Sequence, residues 1–91
     1  DYNLFQNYPN PFNPVTQITY SLPQQSYIVL EIFDLTGARV KTLVEGKQNS
    51  GLQTVQWDGT DKNGILVGTG VYLYRINSNT FSQTRKMVLI K

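Results

Sequence analysis

The sequence predicts an all-β protein, an antiparallel β-sandwich of about seven strands, with a barrel as the competing architecture. Three observations lead there. Turn signals made of Gly, Pro, Asn, Asp and Ser recur roughly every 8–12 residues, the spacing of short sandwich strands. Between them, apolar and polar residues alternate with a period of two, and no stretch of useful length keeps a helical period. The composition agrees: only 15% of residues are charged and 12% are aromatic, against a charged fraction of about 25% in ordinary globular domains. An apolar content of 40% with a net charge of +2 argues against disorder.

The elements follow in order. Residues 1–14 hold Pro9, Pro11 and Pro14. Proline lacks an N–H and pushes the preceding residue toward extended geometry, so Asn7–Pro14 is excluded from helices and central strands. An extended, polyproline-like arm with turns is expected, with Tyr8, Pro9, Pro11 and Phe12 docking it on a sandwich of residues 15–91, Tyr8 and Phe12 as the anchors. Thr16, Ile18, Tyr20 and Leu22 alternate with Val15, Gln17, Thr19 and Ser21 to give a half-buried strand, broken at Pro23. A strand over about residues 27–34 puts Ile28, Leu30 and Ile32 on one face. The sequence Asp34-Leu35-Thr36-Gly37 is a turn, with Gly37 placed for positive φ. A third strand covers about residues 39–45, with Val40 and either Leu43 or Val44 inward, and residues 46–51 read as a polar loop. The next, about residues 52–57, carries Val55 and Trp57 on one face, with Trp57 as the expected plug between the sheets. Asp58–Gly64 is the strongest turn signal of the chain. A short strand near 65–67, a strand at 71–77 dense in Tyr72, Tyr74 and Ile76, and a last strand over about 80–90 complete the count.

Absent residue types exclude chemistry. The chain contains no cysteine and no histidine, which removes disulfides, thiolate metal sites, cysteine nucleophiles, and the commonest general base and metal ligand. No enzymatic role and no cofactor are expected. The six carboxylates form no evident acid–base pair, and a small sandwich offers little room for a substrate cleft. Gly68-Thr69-Gly70 is not a phosphate loop. Asp58, Asp61 and Asn63 offer the oxygen ligands calcium prefers, but the EF-hand spacing fails, and the alternative is an Asx-rich turn bonding its own backbone. Tyr72 and Tyr74 share one face of a strand, as a sugar-stacking platform would require, unless that face is the core.

From Arg75 to Lys91 there are four basic residues and no acidic one. The pattern reads as a strand with a solvated basic face, too sparse for a nucleic-acid site. No apolar stretch is long enough to cross a membrane as a helix, and no signal peptide is evident. The abrupt opening at Asp1-Tyr2-Asn3-Leu4 suggests a domain cut from a longer protein or a processed product.

Ordered motifs then become specific. Leu4-Phe5-Gln6-Asn7-Tyr8-Pro9-Asn10-Pro11-Phe12-Asn13-Pro14 resembles the opening of the C-terminal sorting domain of the bacterial type IX (Por) secretion system. Ile28-x-Leu30-x-Ile32-Phe33-Asp34-x-x-Gly37, Val55-x-Trp57-Asp58-Gly59-x-Asp61-x-x-Gly64, Gly70-Val71-Tyr72-x-Tyr74-Arg75 and the closing Lys86-Met87-Val88-Leu89-x-Lys91 follow in the same order. Phe33 stands where Tyr is common, and Gln53 where His is frequent. The central part also resembles the Ig-like domain of flagellar hook-capping proteins, so the sandwich is expected to be Ig-like. The resemblance implies a secretion signal at the C-terminus of a cargo protein, carried through the periplasm and outer membrane to the cell surface or medium. Its partners would be the secretion machinery and a sortase-like processing enzyme, and 91 residues would be about one complete sorting domain. By family analogy the recognised residues would be Gly70, Val71, Tyr72, Lys86, Met87, Val88, Leu89 and Lys91, read as an edge strand that adds to a partner's sheet. Two other functions are open: a self-assembling extracellular subunit, homo-oligomeric through strand addition by the arm, and a carbohydrate-binding module.

Overall fold

The computed structural model describes residues 1–90, and all of its regular elements are strands. They are β1 (Asn3–Leu4), β2 (Thr16–Leu22), β3 (Ser26–Phe33), β4 (Arg39–Gln48), β5 (Gly51–Trp57), β6 (Gly70–Asn77) and β7 (Ser82–Leu89). Two antiparallel sheets, β1-β2-β5 and β4-β3-β6-β7, pack face to face as an Ig-like sandwich. Among the described residues, no helix is long and apolar enough to cross a membrane.

Alternation builds the core. Ile18, Tyr20 and Leu22 from β2 meet Ile28, Leu30 and Ile32 from β3, Tyr72, Tyr74 and Ile76 from β6, and Met87 and Leu89 from β7. Trp57 is 1% exposed at the end of β5. Its ring lies edge-on to Tyr72 at 5.5 Å and tilted against Phe12 at 5.6 Å, and its indole N–H donates to the Thr60 carbonyl at 2.9 Å. Val40, Leu43, Val44 and Val55 are half-buried and border this core. A register shift between Leu30 and Glu31 lets Leu30 oppose Val44 and Glu31 oppose Thr42, so Leu43 occupies a bulge.

Three boundaries differ from the sequence expectation. Residues 65–67 form no strand; Leu66 makes one isolated bridge to Thr60. The seventh strand is instead β1, within the arm, where Asn3 pairs Ser21 and Leu4 pairs Tyr20. β4 runs on to Gln48, its polar end pairing the start of β3, so the expected loop at 46–51 shrinks to Asn49-Ser50. A two-residue strand and a polar strand end carry too little alternation to be read locally.

The Asp58–Gly64 turn braces the arm. Gly59 has φ of +77°, and a Cβ there would meet the Pro14 carbonyl oxygen at 3.2 Å; at Gly64, with φ of +80°, nothing lies within 4 Å. Gly64→Ala is expected to cost about 1–2 kcal/mol from backbone strain alone. Gly59→Ala should cost measurably more, because Pro14 must also shift. Urea unfolding of the two variants checks the order.

Candidate functional site

The two segments expected to be recognised lie side by side. β6 and β7 pair so that Gly70 opposes Leu89, Val71 opposes Val88 and Tyr72 opposes Met87. Their side chains divide between two faces. Tyr72, Met87 and Leu89 are buried in the core, while Val71 and Val88 are half-buried on the outer face and Lys86 is exposed. Tyr72 donates its hydroxyl to the Gly68 carbonyl at 2.6 Å. Lys91 lies outside the described residues.

The outer edge of β7 is not free, which corrects the expectation of an open edge strand. The arm lies on it. The Phe12 N–H donates to the Val88 carbonyl and the Ile90 N–H donates to the Phe12 carbonyl, each at 2.9 Å. The Val88 N–H donates to Asn10 Oδ1 at 3.0 Å, and Gln6 Nε2 donates to the Lys86 carbonyl at 2.7 Å. Arg85 Nε donates to the Leu4 carbonyl at 2.6 Å, so one residue of the expected basic face serves as an arm clamp. The physical reason is general: an exposed edge carries unpaired N–H and C=O groups, and the chain satisfies them with its own first residues.

The same arm closes the β2 edge. The Phe5 N–H donates to the Thr19 carbonyl at 3.0 Å, and Tyr8 and Gln17 exchange backbone hydrogen bonds at 3.0 and 2.9 Å. It therefore laces the two sheets together along one side of the sandwich. Its anchors are Phe12 and Leu4, each 1% exposed, and Asn7, 2% exposed. The Tyr8 ring is 80% exposed; this residue docks through its backbone, not through its side chain. The Pro9 carbonyl accepts from Thr16 Oγ1 at 2.9 Å and from Asn7 Nδ2 at 3.2 Å. Pro11 is exposed. The Tyr8–Pro9, Asn10–Pro11 and Asn13–Pro14 peptide bonds are cis.

Beneath the arm, Tyr74 is fully buried. Its hydroxyl donates to the Phe5 carbonyl at 2.7 Å and accepts from the Asn7 N–H at 2.8 Å. Burial pushes its phenol up to about 12, against the smaller opposing effects of the Asn7 N–H and Arg85. Leu4, Asn7 and Asn10 figure in the sequence only as part of a motif and Arg85 only as part of a basic tail, with no docking role assigned to any of them. A buried asparagine in a Pro-rich arm has no local signature, since its partners Tyr74 and Thr16 are supplied by other strands.

Two other constellations raised by the sequence lie elsewhere in the fold. Tyr72 and Tyr74 both face the core, 8% and 0% exposed, so they form no sugar platform. Asp58 Oδ1 accepts from the Thr60 N–H at 3.1 Å and from Thr60 Oγ1 at 2.5 Å, and Asp61 Oδ1 accepts from the N–H groups of Asn63 and Ile65 at 2.8 and 3.1 Å. The hydroxyl of Thr60 is the main reason the Asp58 carboxyl is held below its ordinary value, with the nearby Lys41 a smaller one. Lys41 Nζ stands 3.9 Å from Asp58 and opposes a cation there. These side chains hold the turn, as does Asp34, whose Oδ1 takes the N–H groups of Thr36 and Ala38. Among the described residues, no group of three acidic side chains converges as a metal site would need.

Comparison with known proteins follows this anatomy. No curated protein sequence matches significantly. A segment of dimeric latent PorU from Porphyromonas gingivalis superposes with a TM-score of 0.77 at 27% identity, covering 98% of this chain and 9% of PorU. PorZ, an essential surface component of the type IX secretion system of the same bacterium, gives 0.65 at 22%, covering 99% of this chain and 11% of PorZ. The hook-capping protein FlgD of Xanthomonas campestris gives 0.63 at 25%, with 82% of this chain and 55% of FlgD covered. The chain thus spans about a tenth of PorU and PorZ and about half of FlgD. The family model described as the FlgD Ig-like domain matches residues 13–82, and the chain belongs to that family.

Proposed function

We propose that this domain is a C-terminal sorting signal that carries an N-terminal cargo through the type IX secretion system to the cell surface, with the β6–β7 ribbon as the surface read by the machinery. The observation that carries the reading is which parts of the chain each relative accounts for. The FlgD Ig-like model stops short of residues 1–12 and 83–91. PorU and PorZ match over 98% and 99% of the chain. The two segments outside the FlgD model are the ones that hydrogen-bond to each other along β7. The arm and the end of the closing strand thus form one unit that the hook-capping family model leaves unmatched and the PorU and PorZ segments cover almost whole.

Recognition then takes one of two routes. The machinery reads the outer face of the ribbon at Val71, Lys86 and Val88 with the arm in place, or it displaces the arm and adds a strand to β7. A sortase-like enzyme would act on the exported chain. The self-assembling alternative is not favoured, because the arm satisfies its backbone groups on its own sandwich. Fusion of residues 1–91 to a reporter protein is expected to direct the reporter to the surface of a type IX-competent bacterium. Deleting residues 86–91 should stop export. Undiminished export of the truncated fusion sinks the reading.

A further inference from the structure

Charge is segregated between the two sheets. Strands β1, β2 and β5 contain no charged residue. The other sheet carries Glu31, Arg39, Lys41, Glu45, Lys47, Arg75, Arg85 and Lys86. The outer face of the three-stranded sheet is therefore a neutral polar surface. Cross-strand pairs place Ser21 beside Leu52, Thr19 beside Thr54 and Gln17 beside Gln56, in rows about 7 Å apart along the strands. The Thr19 and Thr54 hydroxyls are 3.2 Å apart on this face. The arm extends the rows by one column: Phe5 lies beside Thr19 and Tyr8 beside Gln17.

Three apolar side chains stand out from this face: Tyr8 at 80%, Leu52 at 70% and Phe5 at 41% exposure. Tyr8 is the notable one, because its mount is rigid. Its backbone is bonded both ways to Gln17, and the preceding Asn7 is buried and held by Tyr74 and Thr16. A ring so exposed on a backbone so constrained contributes nothing to the core. It does present an aromatic face on a backbone whose own ordering cost has been met by folding.

We propose that the outer face of the three-stranded sheet, centred on Tyr8, Phe5, Gln17 and Thr54, binds a neutral polysaccharide chain. Sugar rings offer apolar C–H faces that stack on aromatic rings, and neutral hydroxyls that pair with Gln, Thr and Ser side chains. Nothing on the face would attract an anionic glycan: the charged residues that flank it in sequence, Asp1 and Asp58, are both acidic. A second copy of the chain is the poorer occupant. The three rows and three columns span only about 14 by 10 Å, far below the ~800 Å² per partner of a stable interface. The proposal does not depend on the export reading.

Isothermal titration and native-gel retardation against dextran, mannan, laminarin and hydroxyethylcellulose, with alginate as the anionic control, test it. At least one neutral polymer should bind with an affinity insensitive to salt. Tyr8→Ala and Thr54→Lys, both at exposed positions where substitution leaves the domain folded, should each weaken that binding by roughly tenfold or more. Absence of binding to all four neutral polymers overturns the proposal. So does binding that survives both substitutions, or binding to alginate alone. A wild-type dimer in sedimentation that Thr54→Lys dissociates would give the face to a second copy and overturn it too.

Discussion

Phe12→Ala should lower the stability of the domain by about 3–5 kcal/mol, a large part of what a chain of this size possesses. The ring is 1% exposed and packs on Trp57, which itself meets Tyr72. Truncation leaves a cavity at one end of that aromatic row, against Trp57, where the tilted contact also adds to area burial. The same residue donates and accepts the backbone hydrogen bonds that hold the arm on Val88 and Ile90. Loss of the ring therefore also loosens the edge of β7. Tyr8→Ala is the matched control. Its ring is 80% exposed, and the substitution should stay within about 0.5 kcal/mol of the parent. Urea unfolding followed by the fluorescence of Trp57 reads both. Equal losses at the two positions would show that the arm does not dock as described.

The second large effect is alkaline. Stability should fall steeply between about pH 10 and 12, by about 1.4 kcal/mol per pH unit from Tyr74 alone. The sign follows from proton counts. The buried phenol is held up to about 12 in the folded protein, while in the unfolded chain it titrates near 10. Between those values the unfolded state has lost its proton and the folded state has kept it, so the unfolded state gains. The contribution is whole below about pH 10 and lost as pH rises through the folded value. Tyr20 and Tyr72 are pushed up by burial and act in the same direction. Tyr74→Phe removes this proton and flattens the alkaline limb. At neutral pH it should itself cost about 1–3 kcal/mol, because it leaves the Asn7 N–H and Phe5 carbonyl without their partner. Urea titrations at stepped pH, with absorbance following phenolate formation, test both parts. A flat stability profile across the window would show that the Tyr74 hydroxyl reaches water.

Much of the body was legible residue by residue. Thr16–Leu22 and its alternation are visible in the sequence, Ile28, Leu30 and Ile32 were placed on one face, which is the buried one, and Trp57 was placed between the sheets, where it is buried. The turns at Asp34 and Asp58 were visible because an Asx side chain bonds to N–H groups two residues along, inside the reading window. The arm was harder. Its prolines excluded a helix, but of its two expected aromatic anchors, Phe12 is buried and the Tyr8 ring is exposed, and no pattern within fourteen residues separates them. The seventh strand was misplaced for the same reason: Asn3-Leu4 is a strand only because Ser21 and Tyr20 are beside it.

Strand alternation and turn chemistry were enough to give an all-β chain of about seven strands, since each is a property of neighbouring residues, and the absence of cysteine leaves its stability to packing rather than disulfides. The state of the β7 edge is not a property of neighbouring residues. It depends on contacts such as Arg85 with Leu4 and Gln6 with Lys86, between residues about eighty positions apart. Whether an edge stays open is decided by which distant backbone groups need partners, and that is settled only when the two ends of the chain meet.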